Sequence, residues 1–359
     1  MASIETEKAP AVPNLGYLRR RRSVPRIANP GRTSGERVPT QPKIQAEILR
    51  SPYDAVNRLT DQALVPQGKR IRALISVEIA REFQPKTTIP LSLIEAMELL
   101  QYFTLIHDDI IDNSPQRRGF DSLWKRFGRD VALLYGDFVH AKVTASVAAT
   151  RAVSVRDRLS LIAAYASASA SIQEGQMLET LNLFNVNLTE SEYIEIARAK
   201  TSSLIRLAVY LPWVLFSNDP AILDQLNQFA ESFGIAFQIY NDIIDFQDGH
   251  GKRTLDDLRS GKMTLPVVLH AQLASSSDPV LRAYGRGTVE VLDLEQFPSA
   301  LKTTNAVGRA YGKMMQHLSM GEKALEAALP SGISGRIENL FRAFRSVKIG
   351  EEPRLQECQ

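Results

Sequence analysis

Three aspartates lie close together in an otherwise apolar stretch, LIHDDIIDNSPQRRG at 105–119. Asp108 and Asp112 would share one face of a helix, with Asp109 beside them. Like charges at that spacing repel and destabilise an isolated helix by roughly 0.2–0.5 kcal/mol per pair. Such a group of oxygen ligands suits a hard cation such as Mg²⁺, which usually binds through one or two carboxylates together with substrate phosphates. The pattern therefore predicts a magnesium site that receives a phosphate-bearing ligand.

A second cluster of the same kind occurs in FQIYNDIIDFQD at 237–248. Asn241, Asp242 and Asp245 again share a patch of a predicted helix inside an apolar run. Either cluster alone is equally well explained as a solvated, charged helix end. Two clusters with nearly the same spacing, both flanked by Ile and Phe, favour two acidic walls that face each other across a bundle interior. Several Mg²⁺ ions between those walls would bind a diphosphate.

Cationic side chains that could bind phosphate lie beside apolar helical segments along the chain. Arg presents a planar fork that binds phosphate in bidentate fashion, whereas Lys acts as a point charge. Each of these residues alone is a weak indicator, because Lys and Arg usually solvate a surface. The candidates are Lys69, Arg70, Arg72, Arg117, Arg118, Lys200 with its neighbour Thr201, and Lys262.

The elements that must position these residues are helices. Apolar residues recur every three or four positions, as an amphipathic helix requires, and the alternation typical of strands is nearly absent. No linker rich in Pro, Gly or Ser interrupts the helical part. The sequence therefore predicts an all-α fold, a single large helical bundle at 44–348, with a disordered Arg/Pro-rich extension at 1–43 and a flexible tail at 349–359. The clearest helical segments are 92–112, 130–150, 157–183, 190–210 and 221–247.

The charge of the chain is unevenly distributed. Residues 1–45 hold nine Lys or Arg and three Glu, whereas the rest of the 359-residue chain holds 34 basic and 37 acidic residues. The folded part is therefore mildly acidic, which argues against a nucleic-acid-binding body. The arginine run YLRRRRSVPR at 17–26 is interpreted as part of the solvated extension, with a targeting or anionic-surface segment as the alternative.

Cysteine usage and hydropathy indicate a compartment. The one cysteine, Cys358, allows no disulfide within the chain and suits a reducing environment. No apolar run reaches the roughly 18 residues that span a bilayer, and the amino-terminal residues lack the apolar core of a signal peptide. These features predict a cytoplasmic protein with at most peripheral membrane contact, which the arginine run could assist.

The order of the motifs resembles that of the trans-isoprenyl diphosphate synthases, also called polyprenyl synthetases, and is most like that of the geranylgeranyl diphosphate synthases among them. The resemblance spans roughly residues 60–270. The motifs that carry it are GKRIR at 68–72, DDIIDNSPQRRG at 108–119, GD at 136–137, EGQ at 174–176, KT at 200–201, FQIYNDIID at 237–245 and GKRTLDDLRSGKMTLP at 251–266.

The resemblance implies a helical bundle of the isoprenoid synthase type with a central cavity, assembled as a homodimer. It also implies a prenyltransferase that condenses isopentenyl diphosphate with an allylic prenyl diphosphate, head to tail, through an allylic carbocation. The reaction would depend on Mg²⁺, with about three ions per active site. The product would be a short-chain trans-polyprenyl diphosphate, geranylgeranyl diphosphate (C20) or farnesyl diphosphate (C15).

The resemblance also assigns roles to individual residues. The metal ligands would be Asp108, Asp112, Asn241, Asp242 and Asp245, with Asp109 in support. The residues that contact the allylic diphosphate would be Arg117, Lys200 and Lys262, and those that hold isopentenyl diphosphate would be Lys69, Arg72, Gln101 and Arg118. Thr201 and Gln238 would lie near the forming cation. Lys252 and Asp257 would lie in the loop that covers the site.

The second acidic motif departs from the family pattern, because Asn241 occupies the position where its first aspartate usually stands. An Asn side chain can still offer a carbonyl oxygen to Mg²⁺, but without charge. We expect weaker binding of that ion rather than loss of function, because Asp242 and Asp245 remain.

Product length should depend on the residues that close the channel for the growing chain. Phe103 and Thr104 lie about one turn before Asp108 on the predicted helix. A ring at the fifth position before the motif, a small residue at the fourth and no insertion inside the motif resemble the archaeal-type geranylgeranyl synthases. Phe103 could instead be an ordinary core residue.

Two other functions stay open. A class I terpene cyclase is also an all-α enzyme that uses Mg²⁺ and a diphosphate, and Asn241 and Asp242 look like the start of its second motif. However, Asp245 and Gly249 occupy the later positions of that motif, and cyclases lack the isopentenyl diphosphate site. A non-catalytic subunit of a heteromeric synthase would usually lose aspartates from the motifs, whereas the first motif here is complete.

Overall fold

The computed structural model describes residues 70–86, 88–117, 120–246, 255–275, 278–287, 296–329 and 331–346. These ranges belong to one compact unit. Within them, every helix is either too short or too polar to span a lipid bilayer. Outside the described residues lie the predicted extension at 1–43, the predicted tail at 349–359, and the candidate residues Lys69, Arg118 and Lys252.

Helices make up nearly all of the regular structure in the described ranges, which confirms the all-α prediction. A π-helical turn, Arg198–Ser202, connects α6 to α7. The α-helices are α1 (Ile71–Phe83), α2 (Leu91–Ile111), α3 (Leu123–Phe127), α4 (Arg129–Ala149), α5 (Val155–Leu181), α6 (Glu190–Ala197), α7 (Ser203–Phe216), α8 (Pro220–Ile244), α9 (Asp256–Arg259), α10 (Leu265–Leu273), α11 (Pro279–Gly285), α12 (Gln296–Thr303), α13 (Ala306–Ala328) and α14 (Gly335–Arg345).

Local signals explain where the helices begin. The Thr189 hydroxyl accepts from the Glu192 N–H at 3.3 Å, and the Glu192 carboxylate accepts from the Thr189 N–H at 2.8 Å. This capping box satisfies two donors at the start of α6. Asp219 caps α8, whose first residue is Pro220, where the missing N–H has no intrahelical partner to lose. The predicted starts at 92, 130, 157, 190 and 221 accordingly lie within two residues of the observed ones.

A short antiparallel ribbon follows the first acidic motif. Strand β1 (Gln116–Arg117) pairs with β2 (Phe120–Asp121), with Arg117 opposite Phe120. Sequence analysis did not predict this ribbon, because two-residue strands are too short for an alternation pattern. The ribbon turns the chain back toward the end of α2.

Helix α8 packs along α13 and also contacts α7 and the π-helical turn. Phe229 and Phe233 of α8 are fully buried. The Phe233 ring centroid lies 5.5 Å from that of Phe229 and 5.4 Å from that of Phe344 on α14. Burying a phenylalanine contributes about 1.5–3 kcal/mol relative to leaving it exposed. This cluster therefore anchors the middle of α8, and the polar residues follow toward its carboxyl end.

Helix α2 packs along α4, close to the first acidic motif. A Cβ atom at Gly136 of α4 would lie only 2.4 Å from the His107 Nε2. A larger residue at position 136 would therefore have to displace the His107 ring. The absence of a side chain at Gly136 thus leaves room for the His107 ring, which immediately precedes Asp108.

Candidate active site

Both acidic motifs occupy the last turn of a helix. Helix α2 ends at Ile111 and α8 ends at Ile244, so Asp112 and Asp245 stand at the C-cap positions. The carboxyl end of a helix carries a partial negative charge, equivalent to about half an elementary charge. Aspartates at these positions are unfavourable unless cationic groups lie nearby.

A lysine connects the two motifs. The Lys262 ammonium lies 2.7 Å from Asp112 Oδ2 and 3.4 Å from Asp257 Oδ1. The backbone N–H of Asp257 donates to Asp245 Oδ2 at 3.2 Å. The two acidic motifs therefore meet in one polar network.

The backbone around Lys262 is fixed by a tight turn. Gly261 has a φ of 83°, a left-handed conformation that favours glycine. A Cβ atom there would also lie 2.4 Å from the Phe184 ring. The Lys262 carbonyl accepts a hydrogen bond from the Tyr284 hydroxyl at 2.8 Å. These contacts hold Lys262 in place against the acidic network.

A second lysine pairs with a carboxylate that sequence analysis did not identify. Lys200 Nζ lies 2.5 Å from Glu179 Oε2, and Lys262 Nζ lies 4.0 Å from the same oxygen. Glu179 follows Gly175 by one turn of α5, so both share a face of that helix. The EGQ stretch at 174–176 indicated this helix. The position of Glu179, one turn after Gly175 on the same face, was the only signal in the sequence that could have identified it.

For three of these buried groups, charged neighbours shift the pKa more than burial does. Burial alone would lower the pKa of Lys200 and of Lys262, but the surrounding carboxylates raise both pKa values above their usual range. Burial alone would raise the pKa of Glu179, but the two lysines hold it below its usual value. For Asp108, burial dominates and raises the pKa despite the lysines. The two lysines therefore stay protonated.

The cluster carries more negative than positive charge, since its four carboxylates exceed its two ammonium groups. Hard oxygen donors with a net negative charge suit divalent cations such as Mg²⁺. In the ranges listed above, no three Asp, Glu, His or Cys side chains are already arranged as a metal site. The members of the cluster are Asp108, Asp112, Glu179, Asp257, Lys200 and Lys262.

Asp109 forms a separate, largely buried ion pair with Arg117. Asp109 Oδ1 accepts from Arg117 Nε at 2.8 Å and lies 2.7 Å from a second guanidinium nitrogen. Burial alone would lower the pKa of Arg117, but the hydrogen bond to Asp109 and the nearby aspartate charges raise it. The β1–β2 ribbon thus places a permanently charged guanidinium beside the first motif.

A chain of hydrogen bonds runs through the second motif. The Thr201 hydroxyl donates to Gln238 Oε1 at 2.6 Å, and Gln238 Nε2 donates to Asp242 Oδ1 at 3.0 Å. Asp242 Oδ2 accepts from the Tyr193 hydroxyl at 2.7 Å and from the Leu265 N–H at 2.8 Å. Burial raises the pKa of Asp242 to about 7, although these hydrogen bonds favour the charged form. Sequence analysis did not identify Tyr193.

Lys200 and Thr201 lie in the π-helical turn, where the sequence predicted continuous helix. Such turns insert an extra residue and are frequent at functional sites. Two glycines let the neighbouring helices approach this turn. A Cβ atom at Gly175 of α5 would lie 2.7 Å from the Lys200 N, and one at Gly234 of α8 would lie 2.5 Å from the Ser202 Cα. The turn is therefore clamped between α5 and α8.

Phe103 is buried one turn before the first motif. Its ring centroid lies 4.7 Å from those of His107 and His140. The His140 Nε2 lies 2.8 Å from the Ser169 Oγ on α5. Side chains from α2, α4 and α5 therefore form one continuous wall at this level.

The remaining predicted residues lie at or near these clusters. Asn241 is half-buried next to Asp242. Gln101 lies about 10 Å before Asp108 along α2, where its carbonyl accepts from the Thr104 hydroxyl at 2.8 Å. Arg72 is half-buried at the second position of α1. The substrate and metal roles of all these residues stay predictions.

Residues 54–301 match the sequence profile of a family described as polyprenyl synthetase. This match covers well over half of the chain. The chain belongs to the polyprenyl synthetase family. Membership makes it a prenyltransferase of the polyprenyl synthetase type, as the order of motifs had indicated.

Relatives in the polyprenyl synthetase family agree on the fold and differ in product. Octaprenyl diphosphate synthase of Escherichia coli is 31% identical over 228 residues, which are 63% of this chain and 68% of that protein. Geranylgeranyl pyrophosphate synthase of Geoglobus acetivorans is 29% identical over 287 residues, 79% of this chain and 88% of that protein. A solved structure of polyprenyl synthase from Caulobacter crescentus, complexed with calcium and isoprenyl diphosphate, is 27% identical, covers 83% of this chain and 94% of its own, and has a TM-score of 0.67.

The clamp on the π-helical turn makes a testable prediction. In Gly175→Ala, the added methyl group would press on the Lys200 backbone, and we expect prenyl transfer to slow by about 10–100-fold because the lysine is displaced. Gly312→Ala on α13 is the matched control, because nothing lies within 4 Å of a Cβ atom there. Steady-state kinetics of both variants measures the difference. Equal activity in the two variants would show that this contact does not hold Lys200 in position.

Proposed function

We propose that the protein condenses isopentenyl diphosphate with an allylic prenyl diphosphate, head to tail, to form a short-chain trans-polyprenyl diphosphate. The observation that carries this proposal is the polar chain from Asp112 through Lys262 and Asp257 to Asp245. This chain of contacts connects the two acidic motifs and includes a buried cationic side chain. A diphosphate held between two metal-binding walls needs that arrangement.

Divalent metal ions fit the donor set of this site. Asp108 and Asp112 would hold Mg²⁺ on one wall, and Asp245 with Asn241 would hold it on the other. When bound, Mg²⁺ would supply positive charge that stabilises the departing diphosphate. The relative from Caulobacter crescentus holds calcium and isoprenyl diphosphate, which supports a divalent ion here. About three Mg²⁺ ions per site remains our proposal.

The chain's own cationic residues would bind the allylic diphosphate. Lys200, Lys262 and Arg117 are protonated and held next to the acidic clusters, so they would stabilise charge on the leaving group without reorganising. The bond between the allylic carbon and the diphosphate oxygen breaks, and both electrons leave with the oxygen. An allylic cation remains, and the apolar wall at Phe103 would keep water away from it.

Carbon–carbon bond formation follows from the position of the second substrate. The double bond of isopentenyl diphosphate supplies two electrons to the allylic cation and forms the new bond. The resulting cation loses a proton from the neighbouring carbon, and the released diphosphate would accept it. Arg72 and Gln101 are proposed to hold isopentenyl diphosphate, together with Lys69 and Arg118.

The two alternative functions receive less support. The match to the polyprenyl synthetase family weighs against a terpene cyclase. A non-catalytic subunit would have little need for the complete first motif and two buried, paired lysines. We therefore keep chain elongation as the proposed reaction.

Substrate and metal dependence test the proposal directly. The purified protein with Mg²⁺, labelled isopentenyl diphosphate and dimethylallyl diphosphate should form elongated prenyl diphosphates, whereas excess EDTA should abolish product formation. Chromatography of the dephosphorylated products measures both. Geranylgeranyl diphosphate given alone is the control for cyclisation.

Two results would contradict the proposal. A hydrocarbon formed from geranylgeranyl diphosphate alone would indicate a terpene cyclase. No elongation from any allylic primer would favour the non-catalytic subunit.

We propose a C20 product, geranylgeranyl diphosphate, with the C15 product farnesyl diphosphate next. The buried Phe103 ring between His107 and His140 supports a closed channel one turn from Asp108. In Phe103→Ala the channel should deepen, and we expect longer products in the same assay. Thermal unfolding checks that Phe103→Ala stays folded. Unchanged product length in Phe103→Ala would remove Phe103 from this role.

A homodimer is proposed because two neighbouring helices expose apolar side chains. Leu134 of α4 is 68% exposed and Leu181 of α5 is 81% exposed. Apolar side chains that cluster on the surface mark interaction sites more often than isolated ones do. Val131 and Leu133 of α4 and Leu159 and Met177 of α5 are exposed in the same way.

The dimer prediction has a matched control. Leu134→Glu should convert the protein to monomers, because a charge would be buried without a partner at the interface. Leu91→Glu on α2 changes an equally exposed leucine, 68% in both cases, and should leave the assembly unchanged. Sedimentation velocity distinguishes the two. Wild-type protein that sediments as a monomer would contradict the homodimer.

A cytoplasmic location and at most peripheral membrane contact complete the proposal. The single cysteine, Cys358, supports a reducing compartment. The positive charge of residues 1–45 supports attraction to an anionic surface.

A further inference from the structure

Asp242 is buried and both of its oxygens accept hydrogen bonds from protein groups. Only 2% of the residue's surface is exposed. Oδ2 accepts from the Tyr193 hydroxyl and from the Leu265 N–H, and Oδ1 accepts from Gln238 Nε2. A metal ligand must direct a lone pair at the ion. An ionised carboxylate has about four acceptor sites, and protein donors already use three of those on Asp242, which argues against the ligand role that the motif predicted for it.

The partners of the first motif are of a different kind. Asp112 accepts from the Lys262 ammonium, a point charge on a flexible stem that can move when another cation arrives. The partners of Asp242 are fixed, because Tyr193 is buried in α6 and the Leu265 N–H begins α10. A metal ion that displaced these donors from Oδ2 would leave them buried without an acceptor, which is unfavourable.

Asp242 also sets the direction of the hydrogen bonds beyond it. In its ionised form Asp242 only accepts, so it selects the NH₂ end of the Gln238 amide and leaves Oε1 for Thr201. The Thr201 hydroxyl must then donate its proton to Oε1. The lone pairs of the Thr201 oxygen consequently point away from Gln238.

We propose that Asp242 is a positioning residue that acts through Gln238 on Thr201 and does not bind the metal. This inference rests on the proposed function. Thr201 adjoins Lys200, which lies in the charged cluster where the allylic diphosphate would ionise. A hydroxyl whose proton is committed elsewhere presents its negative end to a developing cation, and it does so without reorganising. The second motif then leaves Asn241 and Asp245 as its candidates for metal binding.

Asp242→Asn tests the direction of the chain. If the oxygen of the introduced amide keeps Tyr193 and the Leu265 N–H, its NH₂ group meets Gln238, whose own amide must turn over. Thr201 would then have to accept rather than donate. We expect kcat to fall by about 10–100-fold, with the KM of the allylic substrate changed by less than about threefold. Thermal unfolding checks that the variant is folded.

Metal binding is measured without turnover, by calorimetric titration of Mg²⁺ in the presence of inorganic pyrophosphate. Asp242→Asn should bind Mg²⁺ within about twofold of the wild type, whereas Asp112→Asn, the reference for a ligand, should bind at least about tenfold more weakly. Tyr193→Phe removes one of the two hydrogen bonds at Asp242 Oδ2 and serves if Asp242→Asn fails to fold. For Tyr193→Phe, a ligand role of Asp242 predicts unchanged or tighter Mg²⁺ binding with kcat retained. A positioning role predicts unchanged Mg²⁺ binding with a lower kcat.

A double-mutant cycle with Thr201→Val completes the test. If Asp242 acts through Thr201, Thr201→Val should lower kcat in the wild type. In the Asp242→Asn background the same change should lower kcat further by less than about threefold. Additive losses of kcat in the double variant would overturn this inference but not the proposed function. The same holds if Mg²⁺ binding is weakened in Asp242→Asn as much as in Asp112→Asn. A wild-type protein that binds Mg²⁺ with pyrophosphate but elongates no primer would overturn the proposed function and this inference with it.

Discussion

The excess of carboxylate charge at the meeting point of two helix ends is the constraint on which the rest of the site depends. Asp112 and Asp245 each stand at the carboxyl end of a helix, where the backbone already contributes negative potential. Lys262 lies between them and contacts Asp112 directly. Two lysines neutralise only part of the four carboxylates around them. This charge balance is the physical basis for proposing that further cations bind here, above all cations that arrive with an anion of their own.

Close backbone approach is the second requirement, because the lysines must be held against this negative charge. Gly175 permits the Lys200 backbone to lie against α5, and Gly261 permits the turn that precedes Lys262. In both places a side chain would collide with its neighbour. The glycines thus determine where the charged atoms lie, although they carry no charge themselves.

The sequence predicted the helices and many of the charged residues, but not their partners. Periodicity located the helices, because an amphipathic pattern is a local property. The pairing of Lys200 with Glu179 joins residues on α5 and the π-helical turn, and no local pattern specifies such a tertiary contact. The Leu265 N–H is a backbone donor, so the residue type gives no sign of its bond to Asp242. The π-helical turn was missed for the same reason, since the glycines that pack against it lie on other helices.

Equal spacing of acidic residues does not give the two motifs equal roles. The first motif directs Asp112 at a lysine, and a lysine can be displaced by a stronger cation. The second motif directs Asp242 at three fixed donors, so most of the acceptor capacity of that carboxylate is already used. Asp242 thus supplies the carboxylate that connects α6, α8 and α10, so the neutral Asn241 beside it does not remove a charge on which this packing depends.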